Sequence, residues 1–268
     1  MNDSVNNLDF CTIASGSSGN CIYIGMGGKH FLVDAGISGK RIENALFEIG
    51  VRNIDGIFLT HEHRDHITGA GVMARRFKLK LYASPLTWAY FADHQSLGAL
   101  DAHQINVIHP DRPIDIDGVT VTAFNICHDA AQPVGYTFTK GDRKVAVATD
   151  FGQATDTVMD NLCNCQIILL ESNHDPHMLE NGPYPRVLKN RVAGQNGHLS
   201  NGEAGMLLAK VAGDTLEHVF LAHLSEDNNT PVVAYDTVSR VLEVNNIQLK
   251  TLTVASRHKP GELIKYGN

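Results

Sequence analysis

The stretch His61-Glu62-His63-Arg64-Asp65-His66 constrains this chain more than any other. It follows Ile57-Phe58-Leu59-Thr60, an apolar run of strand length, so its imidazoles emerge where a buried strand leaves the core. Three histidines in six residues mean little in a chain that holds 14 of them. The ordered pattern HxHxDH means more: at this chain's His and Asp frequencies, chance yields it about three times in a thousand such chains. His61 and His63, two apart, share one face of an extended segment, and Asp65 and His66 follow as the chain turns. Asp at position 65 rules out the zincin pattern HExxH. Two pairs of ligands imply two metal ions.

The habit recurs down the chain. Phe31-Leu32-Val33 ends on Asp34, Val145 to Thr149 on Asp150, Ile167 to Leu170 on Glu171, and Val219 to Ala222 on His223, while Val119 to Phe124 reaches His128 four residues later. In α/β sheets, ligands gather where strands run out at one edge. A lone Asp or His at a strand end ordinarily binds loop backbone, but this set together with HxHxDH points to one site. Helical spacing separates the strands. Ser38 caps a helix with apolar positions Ile42, Ala45, Leu46 and Ile49 that stops at Gly50; Ile67 to Phe77 and Pro85 to about Ser96 read as helices; Ser200 with Glu203 makes a capping box for a helix through Val211, and Thr230-Pro231 opens a helix through Val244. Strands are also expected at Phe10 to Ala14, Cys21 to Ile24, Leu79 to Ala83, Tyr136 to Thr139 and Leu249 to Ala255. IFLTH at 57–61 and VFLAH at 219–223 echo one another, a sign of two related halves. With no linker or low-complexity stretch, the expectation is one α/β domain over residues 1–268.

Composition removes other classes. No apolar run reaches 18 residues, and Met1 to Asn7 lacks a basic region followed by an apolar stretch, so the expectation is a cytoplasmic protein without membrane contact. Five cysteines lack a disulfide spacing, and Cys163-x-Cys165 has no second pair to complete a metal site, so these read as ordinary buried thiols. A net charge of −7 argues against tight nonspecific binding of nucleic acid, leaving two basic clusters: Arg75, Arg76, Lys78 and Lys80, and Arg186, Lys189 and Arg191. The loop Ser15-Gly16-Ser17-Ser18-Gly19-Asn20 can present successive N–H groups to an anion or can simply join two strands.

Asp34, HxHxDH at 61–66, His128, Asp150 and His223 together resemble the five motifs of the metallo-β-lactamase fold hydrolases, over residues 8–255. Within that superfamily, SGSSGN at 15–20, HDA at 128–130, ESNHD at 171–175, GHLSN at 197–201 and LAHLS at 221–225 resemble the bacterial YycJ (WalJ, VicX) group. The resemblance implies an αβ/βα four-layer sandwich, two mixed β-sheets flanked by helices. It implies that His61, His63 and His128 hold one divalent ion and Asp65, His66 and His223 a second, with Asp150 bridging. Imidazole and carboxylate donors suit Zn²⁺, Mn²⁺ or Fe²⁺. Asp34 would orient a ligand imidazole from outside the metal shell.

Two such ions can activate a shared hydroxide for phosphodiester, thioester or lactam hydrolysis alike. Protonation of the leaving group separates these: an alkoxide needs a general acid more than a thiolate does. Similarity to nucleases of the superfamily implies that His198 serves the leaving oxygen and that Glu171 orients it, with Asp65 counted in the catalytic set. The YycJ resemblance implies a DNA nuclease, a 5′ to 3′ exonuclease, with nucleic acid as its partner and no obligate protein partner. The 72 residues between Asp150 and His223 leave no room for a β-CASP insertion. Substrate contacts are expected from Ser17, Ser18, Asn20 and His174. The alternatives are a small-molecule phosphodiesterase, a glyoxalase-type thioester or lactam hydrolase, and a sensor that uses the metals structurally.

Overall fold

Short runs of three to seven residues rich in β-branched and aromatic side chains form the strands, and amphipathic segments between them form the helices. A computed structural model of the protein describes residues 7–266. The strands are β1 (Leu8–Ala14), β2 (Cys21–Met26), β3 (Lys29–Val33), β4 (Gly56–Phe58), β5 (Lys80–Ala83), β6 (Ile105–Val107), β7 (Ile114–Ile116), β8 (Val119–Asn125), β9 (Val134–Lys140), β10 (Arg143–Ala148), β11 (Ile167–Glu171), β12 (His218–Ala222), β13 (Thr251–Val254) and β14 (Ile264–Tyr266). The helices are α1 (Gly39–Glu48), α2 (Arg64–Ile67), α3 (Ala70–Phe77), α4 (Pro85–His94), α5 (Asp156–Leu162), α6 (Pro176–Asn181), α7 (Arg186–Val192), α8 (Asn201–Val211) and α9 (Pro231–Val244).

Two mixed seven-stranded sheets result, in the orders β14-β1-β2-β3-β4-β5-β6 and β13-β12-β11-β10-β9-β8-β7. In the first, β1 pairs antiparallel with β14 and β2, β2 pairs antiparallel with β3, and β3 through β6 run parallel. In the second, β10 through β13 run parallel and β7 pairs antiparallel with β8. Parallel strands buried on both faces read as unbroken apolar runs, which is why Ile167–Glu171 and His218–Ala222 carry no alternation and are buried throughout.

The chain divides into two compact units. One takes the described residues through Ala123 together with Ala130–Arg143 and the stretch from Ser256; the other takes Phe124–Asp129 and Lys144–Ala255. The first unit has a core of aliphatic side chains from β1 to β5 and α1, α3 and α4, including Ile13, Leu32, Ile42, Leu59, Met73 and Leu81. It also stacks aromatic rings: Phe58 lies 4.5 Å from Tyr82 and 5.1 Å from Phe138, centroid to centroid. The second unit packs α5, α8 and α9 on β10 to β12 through Val158, Leu162, Ile168, Leu207, Leu208, Val219, Val238 and Leu242. The two echoing segments fall one in each unit.

The expected strands and helices form, with one break. Residues 67–77 do not make a single helix: α2 ends at Ile67 and α3 starts at Ala70. Gly69 sits at the break, where a Cβ would lie 2.3 Å from the Ile37 carbonyl oxygen. The capping box at Ser200 and Glu203 is present, whereas Ser38 precedes α1 without a side-chain cap bond. Cys165 is buried, its thiol pushed up to about 12 by desolvation, and all five cysteines are free. No helix of the described residues is long and apolar enough to cross a membrane.

Candidate metal centre

In the first unit, a short strand delivers HxHxDH and the β3 end supports it. Asp34, 1 % exposed, follows β3 and accepts hydrogen bonds from the Thr60 backbone N–H (2.9 Å), the Thr60 hydroxyl (2.9 Å) and His66 Nδ1 (2.7 Å). That last bond fixes the His66 tautomer and leaves Nε2 as its ligand-capable atom. Burial raises the Asp34 pKa, while the His66 and Thr60 donors act in the opposite direction. His61 Nδ1 lies 3.0 Å from the Thr60 hydroxyl, and His61 Nε2 lies 2.9 Å from His63 Nδ1. The rings of His61 and His66 are 4.1 Å apart. HxHxDH thus draws its imidazoles into one cluster.

Asn20 has a different place from the one expected of a substrate contact. It is 1 % exposed, and its amide reaches the Asp65 carbonyl and carboxylate at 3.4 Å and His66 Nε2 at 3.1 Å. Its side-chain oxygen accepts from the Gly16 N–H at 2.9 Å. Asn20 therefore closes the Ser/Gly loop against the motif, and Ser17 and Ser18 are the residues of that loop left exposed. Gly36 completes the join: its N–H donates to the Asn20 carbonyl, and a Cβ there would lie 1.6 Å from the Asp65 carbonyl oxygen.

In the second unit, Glu171 organises the cluster. Fully buried at the end of β11, it accepts at Oε1 from His198 Nδ1 (2.8 Å) and His223 Nδ1 (2.9 Å), and at Oε2 from the backbone N–H groups of Phe151 (3.0 Å) and Leu199 (3.2 Å). Burial would raise its pKa, but His198 and His223 overcome that and hold the carboxyl far below the usual carboxylate range. His223 Nε2 lies 3.3 Å from Asp150 Oδ1. Candidate ligand atoms of Asp150, Glu171, His198 and His223 all fall within 4.8 Å of one another. His128 Nδ1 faces the Gly197 carbonyl at 3.3 Å, which turns its Nε2 toward Asp150 Oδ1, 3.9 Å away. Burial lowers the His128 pKa and favours the neutral imidazole that a metal requires. His174 is 3 % exposed, with its Nδ1 buried and unbonded among the described residues.

His198 differs from its neighbours. Its side chain remains 20 % exposed, and burial, which would lower its pKa, is outweighed by Glu171, so the pKa is raised. Asp34, Asp150 and His223 share a feature with no signature in the letters: each sits at a strand end with φ between 55° and 62°. Non-glycine residues adopt this left-handed backbone rarely, and such strain clusters at functional sites. The basic clusters are largely engaged: Arg75 donates to the Leu97 carbonyl, Arg76 pairs with Glu43, Arg186 with Glu180, and Arg191 with Asp129.

A donor set of imidazoles with their second nitrogens anchored, beside buried carboxylates, fits a divalent cation. Comparison with known proteins agrees. The model of the β-lactamase superfamily domain matches residues 29–224. Exodeoxyribonuclease YycJ of Bacillus anthracis is 40% identical over 239 residues, covering 88% of this chain and 89% of that protein. Exodeoxyribonuclease WalJ of Streptococcus pneumoniae is 36% identical, covering 85% of this chain and 86% of its own. In fold, the chain is similar to the metallo-β-lactamase fold protein YhfI of Bacillus subtilis, with a TM-score of 0.70 over 97% of this chain and all of that one at 17% identity. On these matches and on the ligand-type clusters at its strand ends, the chain belongs to the β-lactamase superfamily domain family.

Proposed function

We propose that the chain is a metal-dependent exodeoxyribonuclease that cleaves phosphodiester bonds from the 5′ end of DNA. His61, His63 and His128 would hold one divalent ion and Asp65, His66 and His223 the other, with Asp150 as a further ligand. Zn²⁺ or Mn²⁺ would suit these donors, as would Fe²⁺. When bound, such ions supply Lewis acidity and lower the pKa of water.

The residues of the chain do the rest. Asp34, through His66, and Glu171, through His223, set ring tautomers; Asn20 braces Asp65. His198 carries the reading. Its Nδ1 is committed to Glu171 at 2.8 Å while its ring stays partly exposed, so a proton on Nε2 can pass to the departing 3′ oxygen. An alkoxide needs that proton and a thiolate does not, which favours phosphodiester over thioester hydrolysis. The names of the YycJ and WalJ relatives support DNA as the substrate, and the exposed Ser17 and Ser18 are available to contact it, whereas His174 is buried. The reaction takes place in the cytoplasm and requires no protein partner.

The test compares turnover of 5′-phosphorylated, end-labelled duplex DNA with turnover of a glutathione thioester, using the Mn²⁺-loaded protein and its His198→Ala variant. Nucleotide release that the variant slows about 10²-fold or more agrees with the proposal. Faster thioester than DNA turnover contradicts it.

A further inference from the structure

Beside HxHxDH, wholly within the first unit, lies a cavity of about 470 Å³ lined by Glu62, His63, Arg64, Ile67, Thr68, Tyr90 and Ser96. Small-molecule sites commonly span about 300–1,000 Å³. We propose that this cavity is a subsite for one nucleotide of the substrate strand, with the Arg64 guanidinium on its phosphate and the Tyr90 ring against its base. This rests on the nuclease reading above and adds a binding determinant outside the proposed ligands and His198.

Three observations lead there. Arg64 is exposed at the start of α2, and no hydrogen bond or ion pair ties its guanidinium among the described residues. Arg75, Arg76, Arg186 and Arg191 are all tied by such contacts. An arginine left open beside a metal-ligand motif, in a chain of net charge −7, is suited to an anionic ligand. Tyr90 supplies the second feature. Held on α4 one turn before His94, it stacks on that imidazole at 4.0 Å and 15° and packs against the core, which fixes the phenol plane of a ring that lines the cavity.

The third observation is position. His63 is a wall of the cavity and also a proposed metal ligand, so a nucleotide seated here would lie next to the proposed centre. Glu62, also in the wall, opposes a phosphate in charge. Its carboxylate is withdrawn, however: the residue is 8 % exposed, Oε1 accepts from the Ala131 N–H at 2.7 Å, and Oε2 is enclosed. Thr68 is likewise committed, its hydroxyl donating to the Arg64 carbonyl at 2.6 Å. Ile67 adds an apolar patch, and Arg64 and Tyr90 are the charged and aromatic groups of the lining, with the exposed Ser96 hydroxyl beside them.

The experiment measures binding of a fluorescein-labelled 20-nucleotide single strand by anisotropy across a salt series, together with nucleotide release, for the wild type, Arg64→Ala, Tyr90→Ala and Tyr90→Phe. Expected are a Kd raised about tenfold in Arg64→Ala and Tyr90→Ala, and wild-type affinity in Tyr90→Phe, which keeps the ring. The log Kd against log salt slope should fall by about 0.7 in Arg64→Ala alone, the loss of one phosphate contact. Because the first two side chains lie on the surface or half-buried, a thermal melt matching the wild type will accompany each variant. If the wild type binds and cuts DNA while Arg64→Ala and Tyr90→Ala do so equally well, the subsite is refuted and the nuclease reading stands. A wild type that neither binds nor cuts DNA overturns both.

Discussion

At the scale of single residues, the chemistry divides between side chains that face a ligand and side chains that aim them. Glu171 belongs to the second kind, because a fully buried carboxylate with four donors has no contact left for substrate. Its depressed pKa means that the charged form stabilises the fold above the ordinary carboxylate value of 4.5, and that this contribution fades as pH falls below it. Glu171→Gln in metal-free protein should therefore cost about 1–3 kcal/mol at pH 7 by urea titration, with the gap from wild type narrowing below about pH 4.5. His198 is the counterpart. Glu171 raises its pKa, so the donor form persists above the ordinary value of 6.5 and is lost as pH rises through the folded value. A general acid of this kind should put a fall in kcat on the alkaline side of the profile. His198→Ala should remove that limb while lowering kcat by about 10²–10⁴-fold, and a limb unchanged in the variant would assign it to another group.

At the scale of elements, the site depends on short, glycine-assisted joins between strand ends. HxHxDH, the strand ends on Asp34, Asp150, Glu171 and His223, and the capping box at Ser200 were legible because each is a local pattern with a period or a spacing. Asn20 was not, since nothing in a Ser/Gly loop tells that its amide turns inward onto Asp65 and His66 rather than outward to a ligand. The division of residues 67–77 into α2 and α3 was hidden for the same reason: the space at Gly69 is set by Ile37, distant in sequence. Left-handed backbone at Asp34, Asp150 and His223 was equally invisible, because only the surrounding fold holds a non-glycine residue there. Gly36 offers a direct check. A methyl group at that position would overlap the Asp65 carbonyl, so Gly36→Ala should lower stability by about 1–3 kcal/mol and weaken metal uptake, measured by melting and by metal analysis. Retention of both would remove the claim that this contact holds the motif in place.

For the whole molecule, fold and family were legible together, because strands that end on metal-type residues are the same feature that defines the fold's functional edge. Substrate was less legible: net charge opposes DNA binding, and the basic clusters that the sequence offered are mostly engaged in internal pairs. In the proposed reaction His198 would supply a proton at a site suited to divalent ions, and cutting would need both parts. The direct measurement is nucleotide release from 5′-labelled duplex DNA by EDTA-treated protein as Mn²⁺ or Zn²⁺ is added back in counted equivalents, beside His61→Ala. Release should be absent without metal, rise to saturation at two equivalents per chain, and stay absent in the variant; release that survives EDTA, or none with any divalent ion, contradicts the account.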